Sequence, residues 1–323
     1  MYLADYHTHS RYSYDGCEEI QEMCRTAIQA GLSEIAITDH VDIYRGLPFG
    51  QLKDFDVPQD EPPYEFGTLQ DPMFAGKQGN GPEYLAKSGQ FLISIPGGQM
   101  KMPFGRLTQI RLRELYEEIA RAAKQFAGRL LVKAGAELGQ PHVNTEEARK
   151  FLAEYPLDFV IGSVHNMEYD LDVYYYDFSV LDAGVLYDVY LDQLEELVQT
   201  GCFDVLGHLT YPLRYLYERT QQRLDLKPYM ERLEALFKKI EYEGKGIELN
   251  VSGLSKAFSE TMPPMDVLKL YRQCHGEIIT IGSDAHDLEH IGDHQETGQE
   301  MLRAAGFRYI TVYSGRKPSF VKL

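Results

Sequence analysis

The chain has 323 residues, of which 44% are hydrophobic and 25% charged, a globular composition with enough apolar material for a sizeable core, so global disorder is excluded. At ~150 residues per domain this length fits two domains, although α/β barrels routinely use it for one. Its 49 acidic against 32 basic side chains leave a net charge of −17, which opposes non-specific binding to nucleic acid or to an anionic membrane surface.

The opening MYLADYHTHS is polar within five residues and has no basic stretch followed by an apolar run, so no signal peptide is expected. No transmembrane stretch is expected either. Cys17, Cys24, Cys202 and Cys274 lie far apart without a CxxC pair, which argues against a disulfide framework and against a thiolate zinc site. A cytoplasmic protein with reduced, mostly buried thiols is the expectation.

Short β-branched or apolar runs alternate with longer amphipathic segments, the pattern of βα units and parallel strands. Strand Tyr2–Tyr6 precedes a helix over 17–30, and strand Glu34–Thr38 follows it. Residues 45–106 then break the pattern, holding 10 of the chain's 28 Gly and 8 of its 15 Pro. Beyond this insertion, a helix over 107–126 leads to strand Leu130–Glu137, and one over 145–153 to Phe159–Ser163. Helices over 183–200, 228–243, 265–274 and 294–305 lead in turn to strands Asp204–Gly207, Gly246–Asn250, Ile278–Ser283 and Tyr309–Tyr313. Seven or eight such repeats predict a barrel. The insertion follows strand two and so falls at the C-terminal mouth, where long loops act on substrate; a surface excursion without catalytic residues is the alternative.

The chemistry-bearing residues sit at the C-terminal ends of those strands. Strand one ends in His7-Thr8-His9, where residues i and i+2 point the same way and both imidazoles can reach one metal. The following strand ends read Thr38-Asp39-His40, Gly135-Ala136-Glu137, Gly162-Ser163-Val164-His165, Gly207-His208 and Gly282-Ser283-Asp284-Ala285-His286. Six of the chain's 10 histidines are placed in this way. Any one of them alone reads as a hydrogen-bonded structural residue. Parallel strands put all their C-terminal ends on one face, so together these groups converge on one site. With Asp15, just past strand one, they make nine potential ligands, too many for one four-coordinate zinc ion. His275, His290 and His294 read instead as solvated, and His142 as part of a loop, with support of the site as its alternative.

The succession HTHS, TDH, ELG, SVH, GH and GSDAH resembles the polymerase and histidinol phosphatase (PHP) superfamily. AELGQPH, SVHN, VLGHLTYPLR, ELNVSGL and HGEIITIGSDAH resemble more closely its monofunctional histidinol-phosphate phosphatases, which belong to the histidine pathway; the likeness runs along the whole chain except 45–106. The resemblance implies one domain over 1–323, a distorted (β/α)7 barrel with a long insertion after strand two and three divalent metal ions at its mouth. It implies a first ion on His7, His9, Glu137 and Asp284, a second on Glu137, His165 and His208, and a third on Asp15, His40 and His286. Glu137, Asp284 and His286 are the members of this set expected to be catalytic. Where the family often reads His-Leu-Asp, this chain has His208-Leu209-Thr210.

Three divalent ions against the carboxylates of Asp15, Glu137 and Asp284 leave a centre of about +3, which suits a phosphate monoester dianion. Ligation by N and O alone suits Zn, Mn or Fe. Two ions sharing Glu137 would hold a bridging water and lower its pKa from 15.7 towards about 7, supplying hydroxide to attack phosphorus. Arg214 is the first candidate to bind the phosphoryl oxygens and Lys256 the second, each with a solvated surface cation as its alternative. The expected partner is a small-molecule phosphate ester, histidinol phosphate above others, and neither a membrane nor nucleic acid. An amidohydrolase, which would need a carboxylated Lys such as Lys133, a nucleotide phosphoesterase and a metal-binding scaffold are the competing readings.

Overall fold

The computed structural model describes residues 1–13, 15–43, 90–95, 98–103, 109–167, 172–176, 178 and 181–323. A parallel sheet forms its centre, built from β1 (Ala4–Asp5), β2 (Glu34–Ile37), β6 (Leu131–Gly139), β7 (Phe159–Ser163), β8 (Val205–Leu206), β9 (Gly246–Asn250) and β10 (Ile279–Gly282), in that spatial order. β3 (His40–Asp42) continues the path of β2 and pairs with β6. The two ends of the sheet meet. Tyr6 N–H donates to Ile281 O at 2.9 Å, Asp284 N–H to His7 O at 2.8 Å and His9 N–H to Ala285 O at 2.8 Å, so strand one bridges β2 and the extension of β10. The fold is a distorted (β/α)7 barrel, as the family resemblance implies.

Runs such as EIAI, FVIGS and ITIG are buried along their whole length, because a parallel sheet wrapped by helices has no wet face. The helices that cover it start and stop where local chemistry dictates. In Ala183–Thr200 the Asp182 side chain accepts from Val185 N–H at 3.0 Å, and Gly201 at φ 66° ends the helix. The helices expected over 17–30, 107–126, 145–153, 183–200, 228–243, 265–274 and 294–305 all form, as Ile20–Gln29, Gln109–Gln125, Thr145–Glu154, Ala183–Thr200, Met230–Tyr242, Met265–Gln273 and Gln295–Ala305. None of the described helices is long and apolar enough to cross a membrane.

Three features differ from expectation. Helix Tyr211–Thr220 was not anticipated; Pro212 occupies its first turn, where a missing N–H costs nothing. The insertion contains an antiparallel pair, β4 (Gln90–Ile95) with β5 (Gly98–Pro103), while 45–89, 96–97 and 104–106 lie outside the described residues. The eighth strand, β11 (Tyr309–Ser314), forms but does not join the barrel. It pairs antiparallel with β12 (Lys317–Lys322) through Gly315 and Arg316, both at positive φ.

This hairpin seals the N-terminal end of the barrel, opposite the histidines. Tyr313 N–H donates to Tyr6 Oη at 2.6 Å, and the turn reaches the residues just before β7 and β8. Arg316 makes two 2.9 Å bonds to the buried Asp204 carboxylate, and Gly315 N–H donates to Asp158 Oδ1 at 2.9 Å. Arg316→Ala strands a buried charge, a change that usually costs about 3–5 kcal/mol. Lys245 remains 3.7 Å from Asp204, so a loss of about 2 kcal/mol is expected in urea unfolding. A loss below about 0.5 kcal/mol would make the hairpin a surface appendage.

Candidate metal centre

Strand register brings the candidate ligands together. His40 pairs with Glu137 across β3 and β6, Thr8 bridges Ala285, and the ends of β7 and β8 follow alongside. Glu137 is fully buried and lies at the hub. Its Oε1 is 2.8 Å from His165 Nε2 and 2.8 Å from His208 Nε2. Its Oε2 is 3.2 Å from His7 Nε2, 3.5 Å from His9 Nε2 and 2.9 Å from His40 Nδ1. Asp284 Oδ1 adds a second anion 3.5 Å from His7 Nε2 and 3.3 Å from His9 Nε2. Asp15 lies nearer solvent, 3.5 Å from His40 Nε2 and 3.1 Å from His286 Nε2.

Three groups of ligand atoms, His7/His9/Asp284, His40/Glu137/His165 and His9/His40/His286, are each compact enough to hold one ion. His7 Nε2, His9 Nε2 and Glu137 Oε2 are buried and in mutual proximity, yet align for no hydrogen bond among the described residues. These atoms converge on one buried space, as a ligand set requires, and with nitrogen and oxygen donors only the set fits a divalent ion.

Charge in the metal-free cluster is balanced by protons. Burial alone would raise the Glu137 carboxyl, but His165, His7 and His40 hold it well below the usual carboxylate range. Asp284 is held down likewise, against its burial, by His7, His9 and His286. Burial depresses His165, yet Glu137 outweighs it and raises the imidazole to about 10. His9 falls to about 3 through burial and the neighbouring His286 and His40. A divalent ion entering this network displaces protons, so its binding weakens on acidification.

A layer of buried polar groups behind the cluster fixes it. Asp39 accepts from Ser10 and Ser13, through both main-chain N–H groups and both hydroxyls, at 2.7–3.0 Å. Ser13 Oγ is then 3.1 Å from His9 Nδ1 and accepts from His40 N–H at 3.1 Å. Gln140 Oε1 accepts from His165 N–H at 2.7 Å, and Ser163 Oγ donates to Glu137 Oε1 at 2.7 Å. Asp284 is held at φ 55°, a left-handed conformation that few non-glycine residues adopt and that clusters at functional sites. Glu248, 2.6 Å from His7 Nδ1, escaped sequence reasoning altogether; the signal was an acidic residue inside the apolar strand GIELN.

One wall of the mouth is aromatic. The Tyr211 ring lies 4.7 Å from His208 and 5.3 Å from His165, and its hydroxyl donates to Asp172 Oδ1 at 3.2 Å. Arg214 stacks on Tyr215 at 4.6 Å and donates to Ser252 Oγ at 3.3 Å, while its buried Nε has no partner among the described residues. Lys256 is exposed on the loop after β9, with no side-chain hydrogen bond or ion pair among the described residues. Lys133 faces Glu34 at 3.4 Å, four residues down its strand from Glu137 and away from the cluster. His275 is exposed, His290 is 2.7 Å from Asp287 Oδ1, and His294 Nε2 is 2.8 Å from Ser255 Oγ.

A family model described as the PHP domain matches residues 5–252. A Deinococcus radiodurans protein named "Probable histidinol-phosphatase" is 30% identical over 210 residues, covering 64% of this chain and 77% of that protein. The histidinol-phosphatase of Lactococcus lactis subsp. lactis is 24% identical over 330 residues, covering 98% and 96%. A solved histidinol phosphate phosphatase from the same organism, complexed with zinc, L-histidinol and phosphate, superposes with a TM-score of 0.65 at 23% identity over 98% of each chain.

Because both oxygens of Glu137 face imidazoles of different groups, Glu137→Ala is expected to remove more than one metal equivalent per chain, measured by elemental analysis of the purified variant. Full metal retention would contradict a bridging role. His275→Ala is expected to leave metal content unchanged.

Proposed function

This chain belongs to the PHP domain family, and from that premise we propose that it is a divalent-metal-dependent phosphomonoesterase that hydrolyses histidinol phosphate to histidinol and phosphate. The observation that carries this function is the burial of Glu137 between two sets of imidazoles, one on each of its oxygens. In this reading three ions would be held, one on His7, His9, Glu137 and Asp284, one on Glu137, His165 and His208, and one on Asp15, His40 and His286. Zinc, manganese and iron all suit these donors. When bound, such ions supply an acidified water for attack on phosphorus and positive charge for the phosphoryl oxygens.

The chain's own residues do the rest. Glu137 and Asp284, anionic in a buried pocket, set the charge that the ions meet. Arg214 lies 4.6 Å from the Tyr215 ring centre and keeps an unspent Nε–H, a donor suited to a phosphoryl oxygen whose charge grows in the transition state. Asp172, fixed by Tyr211 beside His165, offers a carboxylate to the substrate's ammonium group, and the rings of Tyr211 and Tyr174 offer apolar faces to its imidazole. Two more carboxylates of the same stretch, Asp170 and Asp177, lie outside the described residues.

Phosphate release measured on histidinol phosphate, nucleoside monophosphates and an aryl phosphate tests this function. Histidinol phosphate is expected to exceed the aryl ester by at least ~10²-fold in kcat/KM, about 2.7 kcal/mol, which a desolvated ammonium–carboxylate contact can supply. Equal rates, or a preference for nucleotides, would leave a PHP phosphoesterase but remove the histidinol phosphate assignment. Arg214→Ala is expected to lower kcat/KM by roughly 10²–10³ with metal content unchanged, and Arg214→Lys to recover only part, since the fork is lost. Wild-type kinetics in Arg214→Ala would remove Arg214 from phosphoryl binding and leave it a structural cation packed on Tyr211 and Tyr215.

A further inference from the structure

We propose that Glu248 is a positioning residue that ties two candidate ligands of different ions, His7 and His208, to one buried carboxylate; this rests on the metal reading above. Glu248 lies in the middle of β9 with 1% of its surface exposed. Its Oε1 lies 2.6 Å from His7 Nδ1. Its Oε2 accepts the main-chain N–H of His208 at 2.8 Å and the Asn250 side-chain amide at 3.3 Å. An ionised carboxylate can only accept, so we assign the proton of His7 to the ring nitrogen that faces Oε1. The lone pair of His7 is left on Nε2, which points at Glu137 Oε2 and Asp284 Oδ1 at 3.2 and 3.5 Å and has no hydrogen-bond partner among the described residues.

A second, independent observation points the same way. A Cβ at Gly282 would lie 2.2 Å from Glu248 Oε1 and 2.4 Å from His7 Cβ, so the glycine that opens GSDAH keeps clear the space in which this contact forms. Asn250 extends the link, since its amide also reaches Asp284 Oδ2 at 3.3 Å. One carboxylate thus fixes the orientation of His7, the backbone that carries His208, and through Asn250 the side chain of Asp284. An amide cannot replace it. Gln at this position presents NH₂ to one of two faces that both hold donors, so Glu248→Gln preserves volume and loses one acceptor.

The test is competition for zinc between a chromogenic chelator and the full-length zinc-loaded protein. Glu248→Gln is expected to lose zinc about 10–100-fold more readily than wild type with unchanged circular dichroism, and a control at another buried carboxylate, Glu34→Gln, to stay within about 2-fold. Glu34 is held by Tyr2 and Tyr6 away from the cluster, so it reports the general effect of removing a buried charge. Gly282→Ala crowds the same contact from the neighbouring strand and is expected to weaken zinc retention in the same direction. Long-range ¹H–¹⁵N spectra of the zinc-loaded protein are expected to show the Nδ1–H form of His7 in wild type and an altered signal in Glu248→Gln. Equal chelator midpoints for wild type and Glu248→Gln, or an equal loss in Glu34→Gln, would overturn the positioning role alone. A wild-type chain that binds no zinc would overturn the metal reading and this role with it.

Discussion

A carboxylate with no exposed surface, Glu137, governs the architecture of the mouth. Taking such a charge out of water costs several kcal/mol unless cations and hydrogen bonds surround it. The barrel meets that demand by sending an imidazole from nearly every neighbouring strand end, with Ser163 donating from β7. Without metal, Glu137 holds the His165 imidazole toward its protonated form, and the same donors are those proposed to hold divalent ions. An arrangement of this kind needs parallel strands in fixed register, because a slip of one residue would turn His40 or His165 out of the site.

The polar layer behind the cluster explains why the loops can be trusted to hold their positions. Asp5 binds Ser283 and Gly292, Asp39 binds Ser10 and Ser13, and Glu248 binds His208, so each buried carboxylate fastens a segment that carries a candidate ligand. Each acts through backbone N–H groups as well as side chains, which orients the main chain and not merely one rotamer. The acidity of the whole chain, −17, is compatible with the proposed anionic substrate, because three divalent ions on the proposed ligands would make the local centre cationic.

The parts legible in the sequence were those whose chemistry is local. Barrel strands showed as buried apolar runs, and the candidate ligands showed because they follow those runs directly. Glu248, and the role of Asp39 beside His40, were hidden because their partners, His7 and Ser13, lie two strands away or in a loop, and no spacing within one strand announces a contact between strands. Helix Tyr211–Thr220 was masked by its tyrosines and by Pro212, which resemble a turn until the first-turn position of the proline is known. The run Tyr309–Tyr313 has the composition of a barrel strand, but Gly315 and Arg316 fold it into a hairpin with β12 before it can join the sheet.

Locating zinc by anomalous X-ray scattering in crystals of the loaded protein tests the central claim most directly. Ions are predicted on both sides of the Glu137 carboxylate, one toward His7 and His9 and one toward His165 and His208. A single ion, or ions bound away from Glu137, would contradict a centre organised around that residue.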